Sequence, residues 1–242
     1  MSAHLTEEEQ LEALKRWWNE NGKSTVVGVA VVVAGYFGWQ GWEANQQRQA
    51  EIASNSYQDI MEALEVAPGQ PLSEEKRATV VHLSEGLKAD HENSLYASQA
   101  ALFLAKMAVE KDELGKAAAE LQWVIERNVD GSLTRLAKNR LARVLLAQQD
   151  YDAALALVAD SDSGAFKSLF AESRGDILLA KGDTQQARAA YELAQQSMTE
   201  ADRSRFALLS MKLDDLKTAS VVVEASEAIN EDSQQENNEA GE

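Results

Sequence analysis

Few residues of this 242-residue chain have types and spacings suited to chemistry. There are three histidines, His4, His82 and His91. The last two lie nine positions apart, which does not stack two ligands on one helix face as an i, i+4 spacing would. No cysteine is present to act as nucleophile, metal ligand, lipid attachment point or disulfide partner. Ser73-Glu74-Glu75-Lys76 has the Ser-x-x-Lys spacing of acylating serine enzymes, but the companion motifs are missing. It also follows a proline turn, where a serine reads as a helix cap. Asp160-Ser161-Asp162-Ser163-Gly164 resembles a calcium loop but is one ligand position short of its glycine and lacks the bidentate glutamate. Glycine-rich phosphate loops and Gly-x-Ser-x-Gly elbows are absent. The expectation is a non-enzyme with no catalytic residue, metal or cofactor.

The chain's elements point elsewhere, first to a membrane. Thr25–Trp42 (TVVGVAVVVAGYFGWQGW) carries no charge. At ~1.5 Å per residue its eighteen positions make a helix about 27 Å long, close to the thickness of a hydrocarbon core. Trp17, Trp18, Trp39 and Trp42 lie at or just beyond its ends, with Tyr36 near the outer one, where amphipathic rings favour the headgroup level. Lys15, Arg16 and Lys23 precede the span and only Arg48 follows it before Lys76. Basic residues are retained on the cytoplasmic side, so residues 1–24 are expected in the cytoplasm and the rest across the inner membrane, in the periplasm. Cleavage as a signal peptide is not expected. The apolar run continues past Val32-Val33-Ala34 into Tyr36-Phe37, and the leading segment is long and acidic. Ala30, Ala34 and Gly38 recur at i, i+4, i+8, a small-residue stripe that lets another membrane helix approach closely.

Charge narrows the partners. Lys and Arg number 23 against 40 Asp and Glu. Residues 1–42 hold three and five of these, leaving 20 against 35 in residues 43–242, a net of −15. Such a surface repels the phosphates of nucleic acid.

Both prolines, Pro68 and Pro71, flank Gly69-Gln70 and mark the clearest break. Before it, Glu43–Val66 continues the membrane helix as a stalk, with Ile52, Ser56, Ile60 and Leu64 on one stripe. After it, Ser73 caps a helix bearing Val80, Val81, Leu83 and Leu87. From Asn93 to about Leu216 the chain is alanine- and leucine-rich without strand-like alternation. Breaks at 111–112, 128–132, 149–150, 160–164 and 182–183 leave helices of about twelve to eighteen residues. The segments are 1–24 cytoplasmic, 25–42 transmembrane, 43–92 stalk and first helices, 93–217 repeats, and 218–242 an acidic tail expected to be disordered. The tail has seven carboxylates and no basic residue.

A repeat underlies the helical part. Gly175…Leu178…Gly182…Ala187…Tyr191…Ala194 describes a helix, a tight turn and a second helix. Shifting back by 33 residues gives Ala142…Leu145…Gln149…Ala154…Val158, and a further 37 gives Ala105…Ala108…Asp112…Ala117…Leu121…Val124. Small residues recur where paired helices must cross closely. The turns KDELGKA, QQDYDAA and KGDTQQA place an acid before each second helix, where a carboxylate caps exposed N–H groups. This pattern resembles the tetratricopeptide repeat. The fold class is all-α: a single N-terminal transmembrane helix followed by a tetratricopeptide-like helical solenoid.

The full layout, with KRWWNENGK before a glycine-rich span, then Ser56-Tyr57-Gln58, KAAAELQ, LARVLLAQ and RGDILLAKGDTQQARAAYE, resembles the YfgM-like family across residues 8–216. The resemblance implies a membrane-anchored periplasmic scaffold or co-chaperone, ancillary to the SecYEG translocon. It also implies association with a membrane-anchored periplasmic chaperone bearing a prolyl-isomerase-like domain. In the tetratricopeptide pattern the first helix of each pair lines the concave face. That points to Lys138, Asn139, Arg143, Ser168, Glu172 and Arg174 as partner contacts, with Arg143 and Arg174 as forked donors. A regulatory or envelope-assembly scaffold working through residues 1–24 is the alternative. There Thr6 opens a capping box ahead of Leu11, Leu14 and Trp18. A hydrolase assembled from scattered carboxylates would need paired acids in a cleft.

Overall fold

A computed structural model describes residues 7–66, 70–159 and 164–216. His4, Thr6, Pro68, most of the Asp160–Gly164 loop and the acidic tail therefore lie outside the described residues. The helices are α1 (Glu7–Leu64), α2 (Glu74–Asp90), α3 (Leu95–Glu110), α4 (Leu114–Arg127), α5 (Gly131–Ala147), α6 (Tyr151–Leu157), α7 (Lys167–Lys181) and α8 (Thr184–Gln196). A further helix, α9, covers 203–216. Among the described residues there is no strand. The chain groups into two compact units, residues 1–55 and 56–242.

In the first unit α1 carries the apolar segment without a break. It is long and apolar enough to cross a membrane, and none of its most apolar window is buried within the protein. Val32, for example, is 71% exposed. Thr25 and Ser24 donate their hydroxyl hydrogens to the Asn21 carbonyl (2.9 and 3.3 Å), which satisfies them at the edge of the apolar stretch. Trp17 lies 6.3 Å from Trp18, and Trp39 lies 5.4 Å from Trp42.

In the second unit Tyr57 stacks near Tyr96 and Phe103, at 5.3 and 6.2 Å, while Ile60 and Val80 are fully buried. Ser73 caps α2, its hydroxyl accepting from the Lys76 N–H, so the Ser-x-x-Lys spacing is a helix start. The following helices stack as pairs: α3 packs on α4, α4 on α5 and α7 on α8. Ala101, Ala105, Ala108, Ala117 and Ala137 sit at the crossings of one core, with Leu121, Val124, Leu141 and Val144 filling between them. Replacing any of these alanines with a larger residue would push two helices apart.

The repeat is plainest in its turns. Asp112, Gln149 and Gly182, aligned by the sequence period, all adopt the left-handed conformation (φ 60°, 64° and 92°). The next residue closes each turn in the same way. Glu113, Asp150 and Asp183 donate N–H groups to the carbonyls of Ala108, Leu145 and Leu178, at 2.8, 2.9 and 2.9 Å. Glycine meets this geometry without a Cβ penalty; the other two residues do not. The expected acidic caps form at Asp150 and Asp183, which accept from the Ala153 and Gln186 N–H groups. Glu113 makes no side-chain cap bond. Its longer side chain instead meets Lys116 at 2.9 Å. The helix α6 is also shorter than the twelve to eighteen residues expected, stopping after seven.

Gly175 shows why a small residue recurs on the first helix of each pair. A Cβ built there would lie 2.4 Å from Cε1 and 2.5 Å from Cδ1 of Tyr191, a fully buried ring on α8. The glycine lets α7 rest directly against that ring.

Candidate protein-binding cleft

α5 reads GSLTRLAKNRLARVLLA, with four bases (Arg135, Lys138, Arg140 and Arg143) and no acid. Its apolar positions Ala137, Leu141 and Val144 enter the core, while Arg140 and Arg143 are exposed. Between α5, α3 and α4 opens a cavity of about 480 Å³. Leu102 and Val109 from α3, Leu121 from α4 and Val144 from α5 give it an apolar floor, with Arg140 and Arg143 on one side and Lys106 and Glu110 on the other. An apolar concavity with a few directed polar groups is the form a peptide or helix ligand requires.

Its charges are unevenly engaged. Glu110 pairs with Arg77 at 2.7 Å and more distantly with Lys106 at 3.8 Å. None of the four bases of α5 has an acidic partner among the described residues. Partial burial, and then the neighbouring Arg143, hold the Arg140 guanidinium below its ordinary value, and the negative charge of an arriving carboxylate would act against both.

The six contacts expected from the sequence separate into two environments. Arg143 borders the cleft. Lys138 is half-buried, and Asn139 is 2% exposed with an Oδ1 that has no hydrogen-bond partner among the described residues. Arg174 is exposed, with no acidic partner among the described residues. Ser168 and Glu172, by contrast, are covered by the chain itself. Arg205 on α9 donates to Glu172 at 2.5 Å and to Ser168 at 3.3 Å. Lys212 donates to Glu172 at 3.2 Å and to Asp176 at 2.7 Å, and Asp176 also accepts from the Tyr191 hydroxyl at 2.7 Å. Burial first, and then that bond to Asp176, raise the Tyr191 pKa far above its ordinary range, so the ring stays protonated. Glu172 is left only 8% exposed. The polar face of α7 is thus occupied by α9.

Arg140 and Lys106 were missed. The signal for Arg140 was the run of bases without acids along α5. Lys106 carried none, because it becomes part of the cleft only when α3 and α5 lie side by side. His82 is exposed and His91 caps the end of α2. Among the described residues no three His, Cys, Asp or Glu side chains converge as a metal site would require.

The sequence profile of the tetratricopeptide repeat-like domain matches residues 15–218. The chain is similar to the ancillary SecYEG translocon subunit of Escherichia coli (strain K12), 35% identical over 216 residues, 89% of this chain and 99% of that relative. A protein of the same name from Haemophilus influenzae is 30% identical over 89% of this chain and all of its own length. A third, from Neisseria gonorrhoeae, is 32% identical over 90% of this chain and 100% of its own. No solved structure matches the chain.

Proposed function

For a chain that belongs to the tetratricopeptide repeat-like family of ancillary SecYEG translocon subunits, we propose a non-enzymatic scaffold anchored in the inner membrane by residues 25–42. It associates with the SecYEG translocon and assists exported proteins from the periplasmic side, in concert with a membrane-anchored chaperone bearing a prolyl-isomerase-like domain. The three-to-one bias of basic residues across the span supports a cytoplasmic N-terminus. The observation that carries the reading is the cleft over α3, α4 and α5, apolar at its floor and flanked by two arginines that have no acidic partner among the described residues. Arg143, which the repeat pattern and the cavity both point to, is the central contact, with Lys138 and Arg174 extending the basic surface. A binding cleft and a membrane helix in one chain suit a protein that holds two partners close together.

The test is affinity purification of the full-length protein in mild detergent. Replacing Arg140 and Arg143 with alanine is expected to lower chaperone capture at least tenfold while translocon co-purification and helical content stay unchanged. Each lost charge-assisted contact corresponds to about 1.5–3 kcal/mol if fully engaged and far less if exposed. Wild-type capture by the double variant would place the binding surface elsewhere.

A further inference from the structure

The cleft has a counterpart one repeat earlier. A second cavity, of about 440 Å³, lies on the other flank of α3, walled by Leu64 at the end of α1, Leu72, Arg77 on α2, and Phe103 and Met107 on α3. The two cavities are related by the 37-residue step of the sequence. On α5 the cleft is lined by Arg140, Arg143, Val144 and Ala147. Stepping back 37 positions gives Phe103, Lys106, Met107 and Glu110, all of which line the second cavity. Lys106 and Glu110 border both cavities and form the ridge between them. A step of 33 forward from Arg140 and Arg143 reaches Ser173, which is buried, and Asp176, which accepts from Lys212 and the Tyr191 hydroxyl, so there the same positions are engaged from within. We propose that the two cavities bind one linear segment of the captured partner: an extended stretch with two apolar side chains three positions apart, one in each cavity, and a carboxylate following each. This rests on the reading of the cleft as the binding site and names what it recognises.

Spacing sets the conformation. Cavities on opposite flanks of one helix stand about one helix diameter apart, ~10 Å. A polyproline II segment rises ~3.1 Å per residue and returns to the same side every third residue, so side chains three apart span about 9 Å and point the same way. A β-strand turns residues three apart to opposite faces, so they could not enter both cavities. Charge sets the composition. A base recurs at the same place in each repeat, Lys106 on the ridge and Arg143 at the cleft, where Arg140 adds a second. The Lys106 side chain is 70% exposed and approaches Glu110 only to 3.8 Å, whereas Glu110 is held by Arg77 at 2.7 Å. In a chain of net charge −17 these bases favour acids. The first apolar side chain therefore enters the cavity beside α2, its acid meets Lys106 on the ridge, the second enters the cleft, and the last acid meets Arg140 and Arg143. Such a surface separates one fixed motif from the many unfolded segments of exported chains, which offer the apolar fit without the acids.

The test is fluorescence anisotropy with the full-length protein in lipid nanodiscs and short labelled peptides of serine and glycine that carry two leucines three positions apart, each followed by glutamate. Binding is expected to weaken at least tenfold when either leucine becomes serine, and at least tenfold when both glutamates become lysine. Val66, 43% exposed, lines the second cavity, so Val66→Trp fills part of it without a change of charge or of the core. That variant should weaken the two-leucine peptide at least fivefold and leave the peptide without its first leucine unchanged. Arg140→Ala with Arg143→Ala should weaken both peptides. Absence of binding, equal binding of one- and two-leucine peptides, or an equal effect of Val66→Trp on both would overturn the proposal. So would indifference to lysine in place of glutamate, which would mark a site for unfolded exported chains. Tighter binding of an alanine-rich peptide with leucines seven apart, which spans the same ~10 Å as a helix, would overturn the extended segment. If alanine at 140 and 143 lowers chaperone capture while Val66→Trp leaves it unchanged, the cleft reading stands and the two-cavity segment fails.

Discussion

Gly175→Ala should destabilise the helical unit through a single contact. Carbon atoms rest ~3.5–4.0 Å apart, so a Cβ 2.4 Å from Cε1 of Tyr191 is more than 1 Å too close. The obstacle is a fully buried ring whose hydroxyl is held by Asp176 at 2.7 Å and whose centroid lies 5.5 Å from the Lys212 ammonium. Either α7 lifts from α8 or the ring retreats and stretches the bond to Asp176. Overpacking of this kind costs about 1–3 kcal/mol, and loss of the hydrogen bond about 1 more. Alanine returns about 1 kcal/mol of helix propensity. The net expectation is a loss of roughly 1–3 kcal/mol, or about 2–12 °C in midpoint for a domain of this size. The assay is urea and thermal unfolding of the full-length protein in detergent, followed by circular dichroism. Gly86→Ala, in α2 with open space around its Cβ, is the control and should raise stability by about 0.5–1 kcal/mol. In a Tyr191→Leu background, which removes the ring edge, Gly175→Ala should cost almost nothing. An unchanged midpoint for Gly175→Ala, or the same cost with and without the tyrosine, would refute the argument.

Two further outcomes follow from other parts of the molecule. The Asp202 carboxylate accepts the Thr199 N–H at 2.8 Å and pairs with Arg205 at 2.5 Å. The backbone bond first, and then Arg205, hold its pKa below the ordinary value. A depressed carboxylate stabilises the fold fully above its unfolded value, near ~3.9, and that contribution is lost as pH falls through the lower folded value. Asp202→Asn should therefore lower stability at pH 7, and the gap from wild type should close on acidification in that window; a gap independent of pH would contradict the assignment. In the membrane helix, Ala34→Leu with Gly38→Leu is expected to weaken translocon co-purification without reducing insertion, because the added side chains keep a neighbouring helix at a distance. Unchanged co-purification would mark the Ala30–Ala34–Gly38 stripe as passive.

Local chemistry made much of this molecule legible in its sequence. Eighteen uncharged residues with tryptophans at their ends are sufficient to specify an apolar helix, since hydropathy and length act along the chain itself. Ser73, Asp150 and Asp183 could be read as helix caps because a cap bonds to N–H groups only two or three residues away. The recurrence of a small residue and a turn at 33- and 37-residue steps specified paired helices, and even the left-handed positions at Asp112, Gln149 and Gly182 fell where the period placed them. Which faces remain open was decided only by tertiary packing. Ser168 and Glu172 have the same standing in the repeat as residues of an exposed inner face, yet Arg205 and Lys212 arrive from 33 to 40 positions downstream and cover them. The repeat pattern carries no term for that helix. Arg140 joins Arg143, and Lys106 faces them, because α3 and α5 pack side by side across an intervening helix. Sequence spacing describes neighbours on one helix, whereas a cleft is made by residues that meet only after several helices have stacked.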